Sequence, residues 1–326
     1  MFEEKVKDTI EKYNMISPAD KVIIAVSGGP DSMSILNYLY ENKEDYKIEI
    51  IVCHVNHGIR ENANLDEEYV KKYCEDRNIM LFIKHEDVVS LAKKSKRGLE
   101  ETGRIVRYNF FEEIANSEKA NKIIVAHNKN DNAETIIMNV IRGSGLSGLK
   151  GIEEKRGKYI RPLINCSREE IEEYCKKENL NPRHDESNDD NTYTRNKIRN
   201  IVIPYIKDEF NPNIVDTLKR LSDIIKEDEE YLEQKTEESF ERLASREGEK
   251  ISFVVRDFNN EDRVIQKRLI QKAIKEVAGS LNEIDKINIE DIIKLCNNNI
   301  GNKYMYPNKN VKVEMKDKRI YIYKNT

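Results

Sequence analysis

The residues with the most chemistry to offer lie in the first two hundred positions. Ser27-Gly28-Gly29-Pro30-Asp31-Ser32 follows an apolar run and opens a stretch with helical spacing. Two glycines let backbone N–H groups turn inward, and the start of a helix adds partial positive charge. Ser27 and Ser32 add hydroxyl donors, so the loop is built to wrap an anion. A bare phosphate would repel Asp31, which gains a role if it holds a Mg2+ bridging it to the phosphates. The plainer alternative is a strand–helix turn with a serine cap, and the strand–loop–helix setting favours the anion loop.

Other charged groups recur at spacings that bring them together. Asp131 and Glu134 are three residues apart, so both carboxylates can face one site from a helix N-terminus. Asp131 alone would also suit the first turn of a helix as a favourable charge. Arg104 and Arg107 share a helical face by the same spacing, and Arg195 and Arg199 lie one turn apart. Guanidinium forks suit phosphates or the plane of an extruded base, although a solvated basic face has the same spacing. His54 and His57 have the separation of a chelating pair, but no third ligand is suitably spaced, and metal binding there is not expected. The glycine-rich stretch 143–148 fits G-x-G-x-x-G yet follows a helix, and Leu149 stands where a Walker A loop has lysine.

These groups need a scaffold. Residues 22–26, 48–55, 80–83 and 122–126 are short runs rich in Ile and Val, predicted as buried strands. Between them, 32–40, 65–77, 104–115 and 131–141 carry helical spacing. Such alternation implies an α/β fold, a parallel sheet with helices on both faces and ligands outside the strands' carboxyl ends. After a turn-rich segment, 181–200, and Pro204, the residues Ile214, Leu218, Leu221, Ile225 and Leu232 mark a long helix. Its outer face is densely acidic. Helices are expected near 262–278 and 284–295, and 311–323 alternates like a closing hairpin. The reading divides the chain near residue 208, into a catalytic domain, 1–208, and a smaller, mostly helical domain, 209–326, ending in a β-hairpin.

Composition narrows the class. Of 326 residues, 38% are hydrophobic and 36% charged, and no run approaches the roughly 20 apolar residues of a membrane span. The first sixteen residues lack the apolar core of a signal peptide, so a cytoplasmic protein without a membrane partner is expected. The five cysteines are scattered and form no C-x-x-C, which fits a reducing compartment and argues against a zinc ribbon. A net charge of −4 does not exclude RNA, whose binding depends on local basic patches.

The loop at 27–32 resembles the S-G-G-x-D-S loop of the PP-loop ATP-pyrophosphatase superfamily, whose domain has an adenine-nucleotide α-hydrolase-like fold. Further segments resemble the lysidine synthases within it. Cys53-His54-Val55-Asn56-His57-Gly58-Ile59-Arg60 is similar to their H-V-N-H-G-L-R. Residues 100–108 resemble E-x-A-x-R-x-x-R-Y. Residues 126–135 resemble A-H-x-x-D-D-x-x-E-T, with Asn130 replacing the first aspartate, and R-G-S-G follows at 142–145. Arg161-Pro162-Leu163, Asp185-Glu186-Ser187-Asn188 and Arg195-Asn196-Lys197-Ile198-Arg199 resemble R-P-L, D-x-S-N and R-N-x-x-R.

The resemblance spans about residues 20–205 and implies a ligase. ATP would lie on Ser27, Gly28, Gly29, Pro30, Asp31 and Ser32, with His54 near the adenosine and Asp31 holding Mg2+. The base oxygen of the wobble cytidine, in isoleucine tRNA with a CAU anticodon, would attack the α-phosphate, and free lysine would then displace AMP. Arg104 and Arg107 would neutralise the adenylate. Asp131 or Glu134 would share the metal or deprotonate the incoming ammonium. Arg195, Asn196 and Arg199 would contact tRNA, as would the C-terminal domain. The chain is expected to be a short form, since longer relatives carry an additional C-terminal domain. Two alternatives stay open, a PP-loop tRNA thiolase and an ATP-binding regulatory protein without turnover. So does the oligomeric state, a homodimer included.

Overall fold

β-branched side chains are stiff and fit a pleated surface better than a helix. In the computed structural model of the chain, which describes residues 2–58, 63–183, 190–298 and 303–325, the four apolar runs are accordingly strands. They are β1 (Lys21–Ala25), β2 (Glu49–Asn56), β3 (Met80–His85) and β4 (Lys122–Ile124). Helix α1 (Phe2–Lys12) precedes them. α2 (Pro30–Glu41) and α3 (Lys43–Tyr46) connect β1 to β2, and α4 (Ala63–Glu75) connects β2 to β3. α5 (Val88–Ser95) and α6 (Leu99–Ser117) lead into β4. Beyond it lie α7 (Lys129–Ile141), α8 (Leu146–Leu149), β5 (Lys155–Arg156), β6 (Tyr159–Ile160) and α9 (Arg168–Lys177).

The sheet order is β3-β2-β1-β4-β6-β5, parallel except for the short β5–β6 pair. Alternate residues of each strand feed two cores. Val22, Ile24 and Val52 pack with Met33 and Leu36 of α2 and Val70 of α4. Ile23, Ile51 and Ile123 pack with Phe110, Phe111 and Ile114 of α6. Burial on both faces explains why the strands are continuous apolar runs. The strand order reverses between β1 and β4, and that reversal opens a crevice at their carboxyl ends.

Helix α10 (Thr194–Lys197) runs through a π-helical turn (Ile198–Val202) into α11 (Ile203–Glu209). Pro204 has no N–H to give the carbonyl four residues back, and its ring crowds that carbonyl. The backbone widens instead, and Ile203 N–H bonds to the Ile198 carbonyl. Helix α12 (Ile214–Leu243) follows, and Val215 and Leu218 near its start pack with Ile198, Ile203 and Ala133.

Contacts divide the chain into two compact units, Met1–Ile225 and Lys226–Thr326. The division falls inside α12, whereas the sequence reading put it near residue 208. The second unit contains β7 (Ala244–Glu247), β8 (Lys250–Val254), α13 (Val255–Asn259), α14 (Arg263–Ala278) and α15 (Lys286–Asn297). It continues with β9 (Lys303–Asn308), β10 (Val311–Lys316) and β11 (Arg319–Lys324). The hairpin expected at 311–323 is β10–β11, with Val313 opposite Ile322. It belongs to an antiparallel sheet ordered β7-β8-β11-β10-β9, so the unit holds more strand than its sequence periodicity indicated. One face of that sheet presents Val311, Val313, Met315, Ile320 and Ile322 to Leu269, Ile270, Ile292 and Ile293 of α14 and α15.

Candidate active site

The anion loop leaves β1 at the strand-order reversal. Gly28 has φ +92°, a conformation that side chains resist, and its carbonyl accepts from Arg183 N–H at 3.0 Å. Gly29 is the N-cap of α2 and Pro30 its first residue, where the missing N–H costs no hydrogen bond. Ser32 Oγ accepts from Ser27 N–H at 3.1 Å and donates to the Gly29 carbonyl at 3.1 Å, which fixes the loop across its mouth. His54, at the end of β2, donates from Nδ1 to the Val26 carbonyl at 2.9 Å. Its Nε2 is therefore a bare acceptor, buried and without a partner among the described residues. Burial also lowers the pKa of this ring.

Asp31 accepts a hydrogen bond from Asn128 Nδ2 at 2.9 Å. Burial, and then the charge of Asp131, push its carboxyl up to about 6. Asn128 caps α7 reciprocally. Its Oδ1 accepts from Asp131 N–H, and Asp131 Oδ2 accepts from Asn128 N–H, both at 3.0 Å. The bond from Asn128 to Asp31 ties the start of α2 to the start of α7.

Asp131 and Glu134 do project to one side, and two arginines meet them there. Arg195 Nε donates to Glu134 Oε2 at 2.8 Å and Arg199 Nε to Glu134 Oε1 at 2.5 Å. Both guanidinium groups also reach Asp131 Oδ1, at 3.1 and 3.0 Å. Glu134 is only 1% exposed, so the pairing is what permits its charge. Burial opposes ionisation of Asp131, but Arg195, His127, the Asn128 backbone and Arg199 together hold its pKa below the ordinary value. The spacing of Arg195 and Arg199 suited phosphates, a base plane or a solvated helix face, and the resemblance implied contact with tRNA. In the fold they are engaged with carboxylates.

Ser27, Asp31, Ser32 and His54 open onto a cavity of about 560 Å3 together with Arg104 and Arg107. Arg195 and Asn196 also line it. Asp131, Glu134 and Arg199 do not, and they connect to it through Arg195. Arg104 lies 5.0 Å from the ring centre of Tyr108. Burial holds the Arg107 pKa below its usual value. Asn196 donates to the Asp190 carbonyl at 2.8 Å.

His127 was not singled out from sequence, yet it lines the same cavity. Burial pushes its pKa down to about 4 against the opposing charge of Asp131, and its buried Nδ1 has no hydrogen-bond partner among the described residues. Asn128 was missed as well. Its Asn-x-x-Asp spacing to Asp131 is the capping-box signature that could have revealed it. Asn130 points elsewhere, its Oδ1 accepting from Arg168 N–H at 3.1 Å. Ile59, Arg60, Asp185, Glu186, Ser187 and Asn188, all within recognised motifs, lie outside the described residues.

Residues 1–206 match the PP-loop domain family. A tRNA(Ile)-lysidine synthase from Caldanaerobacter subterraneus subsp. tengcongensis is 43% identical over 93% of the chain and 65% of its own length. One from Clostridioides difficile is 41% identical over 99% of the chain and 70% of its own length. The chain thus spans about two thirds of these relatives. Among solved structures, the U34-tRNA thiolase NcsA from Methanococcus maripaludis, with its [4Fe-4S] cluster, has TM-score 0.58 at 20% identity. It covers 69% of this chain and 78% of its own, a likeness of fold. By that similarity the chain belongs to the tRNA(Ile)-lysidine synthase family of PP-loop proteins.

Proposed function

We propose that this chain uses ATP to join free lysine to the wobble cytidine of isoleucine tRNA with a CAU anticodon. One juxtaposition carries the reading, the anion loop of β1 and the Arg104–Arg107 wall of α6 facing a single cavity. ATP phosphates would lie on the N–H groups and hydroxyls of residues 27–32, with the adenosine beside His54. The cytidine oxygen would attack the α-phosphate, releasing pyrophosphate and leaving an adenylated base. The lysine amine would then displace AMP. Arg104 and Arg107 would neutralise charge on the adenylate where water is excluded.

Asp31 fits a Mg2+ ion, being a buried carboxylate that faces the cavity and makes no ion pair with described residues. Mg2+ takes one or two carboxylates plus phosphate oxygens, and no group of three or more metal-ligating side chains converges among the described residues. When bound, the ion would neutralise the departing pyrophosphate. Asp131, held below its ordinary pKa, is a weak base, so its part would be charge rather than proton transfer. With Glu134 it would hold Arg195 at the cavity rim, beside Tyr193 and Asn196, where the target nucleoside would enter.

The thiolase alternative needs accessible thiols. All five cysteines are buried, and burial pushes each thiol up to about 12. The test is incubation with CAU-anticodon isoleucine tRNA, ATP, Mg2+ and labelled lysine. The expected outcome is labelled lysidine in the digested tRNA and one AMP per lysine. AMP formed without lysine incorporation would overturn the ligase reading, and ADP release would overturn the PP-loop chemistry. Inert binding of ATP would leave the regulatory alternative.

A further inference from the structure

Tyr108, Phe111 and Tyr193 bring phenyl or phenol rings to the cavity. Two of them belong to the packing of its wall. Phe111 is buried, and the ring of Tyr108 lies 4.9 Å, centre to centre, from that of Tyr159. Tyr193 differs. It is 43% exposed, and its side chain has no ring, cation or hydrogen-bond partner among the described residues. Local structure does not call for a tyrosine there. The position is the N-cap of α10, where a short polar side chain would satisfy the helix N–H groups, and Tyr193 makes no such bond. Its backbone is nevertheless held on both sides. Before it, Asp190 Oδ1 accepts from Thr192 N–H at 2.9 Å, and Asn191 Oδ1 accepts from Asn200 Nδ2 at 3.0 Å. After it, Lys197 N–H donates to the Tyr193 carbonyl at 3.0 Å, and Arg195 is anchored to Asp131 and Glu134. A water-exposed ring on a fixed backbone at the edge of a cavity is a platform that needs little further ordering to bind.

Two parts of the proposed reactants suit such a platform, the base of the target nucleotide and the methylene stem of lysine. A methylene stem is satisfied by any apolar surface, so a leucine would serve it as well as a ring. A base has two π-faces and gains most from an aromatic plane. An extruded base must also be fixed in orientation before its oxygen can meet a phosphate. We propose that Tyr193 stacks on the pyrimidine extruded from the anticodon loop and sets its plane for adenylation. Stacking reads no hydrogen-bonding edge, so Tyr193 orients the base without choosing cytosine over uracil. The inference rests on the proposed reaction, which brings the cytidine to this rim. The free and fixed ring does not depend on that reaction.

The full chain is titrated with an anticodon stem-loop carrying a fluorescent cytidine analogue at the wobble position. Lysine is withheld, and an ATP analogue whose α–β bridge cannot be cleaved is present. The emission should change on binding to the wild-type chain and to Tyr193→Phe. With Tyr193→Leu it should stay near that of the free stem-loop, even at saturation. In lysidine formation, Tyr193→Leu should lower kcat/KM for tRNA roughly ten- to hundredfold. It should leave KM for lysine unchanged, and Tyr193→Phe should behave as the wild type. An unaltered thermal transition shows that the leucine variant is folded, as expected for an exposed side chain. A leucine variant with the wild-type emission change and the wild-type kcat/KM overturns the proposal. So does wild-type emission that does not change at saturation, or an effect confined to KM for lysine, which would give the ring to the amino acid. If the wild-type chain forms no lysidine, the proposed reaction fails, and the emission of the three proteins alone decides the stacking.

Discussion

Of the carboxylates singled out from the sequence, Asp131 and Glu134 share two guanidinium groups, whereas Asp31 has the Asn128 amide and feels the charge of Asp131. Its pKa rises from the ordinary 3.8 to about 6. Between those values the folded chain keeps a proton that the unfolded chain has lost, so stability falls as pH rises and stays lowered above about 6. Asp31→Asn removes that penalty. At pH 8 it should raise the unfolding temperature, by a free energy on the order of 2–3 kcal/mol, while abolishing turnover; near pH 4 the gain should vanish. Thermal unfolding of both proteins at the two pH values decides it, and a variant no more stable than its parent at pH 8 would refute the account. The loop, the acidic pair and the arginines were each legible in the sequence, because residue type and local spacing define them. Their partnership was not. Arg195 and Arg199 are far along the chain from Glu134, and only the fold shows that they neutralise it.

At the scale of elements, strand–helix alternation gave the parallel sheet because runs buried on both faces leave a plain apolar signal. Helix interiors were equally visible, and so was the start of α12 at Ile214, but not every start was. Helix α6 begins at Leu99 rather than near 104, since Glu100 and Glu101 favour a first turn by charge without any apolar period. Gly103 lies inside that helix, where glycine costs stability relative to alanine. A Cβ there would meet His57 Cε1 and Val88 Cγ1 at 3.7 Å, ordinary contact distances. Gly103→Ala should therefore stabilise the chain by roughly 0.5–1 kcal/mol, through a restricted unfolded state and better helix propensity. Denaturant unfolding measures it, and a lowered midpoint would mean that the α5–α6 packing is tighter than these distances imply. The second sheet was only half visible. β10 and β11 alternate cleanly, but β8 lies among buried neighbours on a short segment, and β9 is mostly polar or aromatic.

Across the whole molecule, the two units are not joined by a linker. The change in composition after Pro204 read as a boundary, yet what begins at Ile214 is a helix whose first turns belong to the first unit's packing. Val215 and Leu218 lie against Ile198, which opens the π-helical turn that presents Arg199 to Glu134, and Ile203, which follows it. Preparing the first unit alone therefore has a right and a wrong place to stop. Limited proteolysis, which favours exposed loop tips, should not part the chain at the boundary, since no loop is there to cut. A fragment ending at residue 208 should melt well below one ending a few turns past residue 225 and should lose more ATP-dependent activity than length alone explains. Equal melting of the two fragments would show that the start of α12 is dispensable to the half of the protein that it follows.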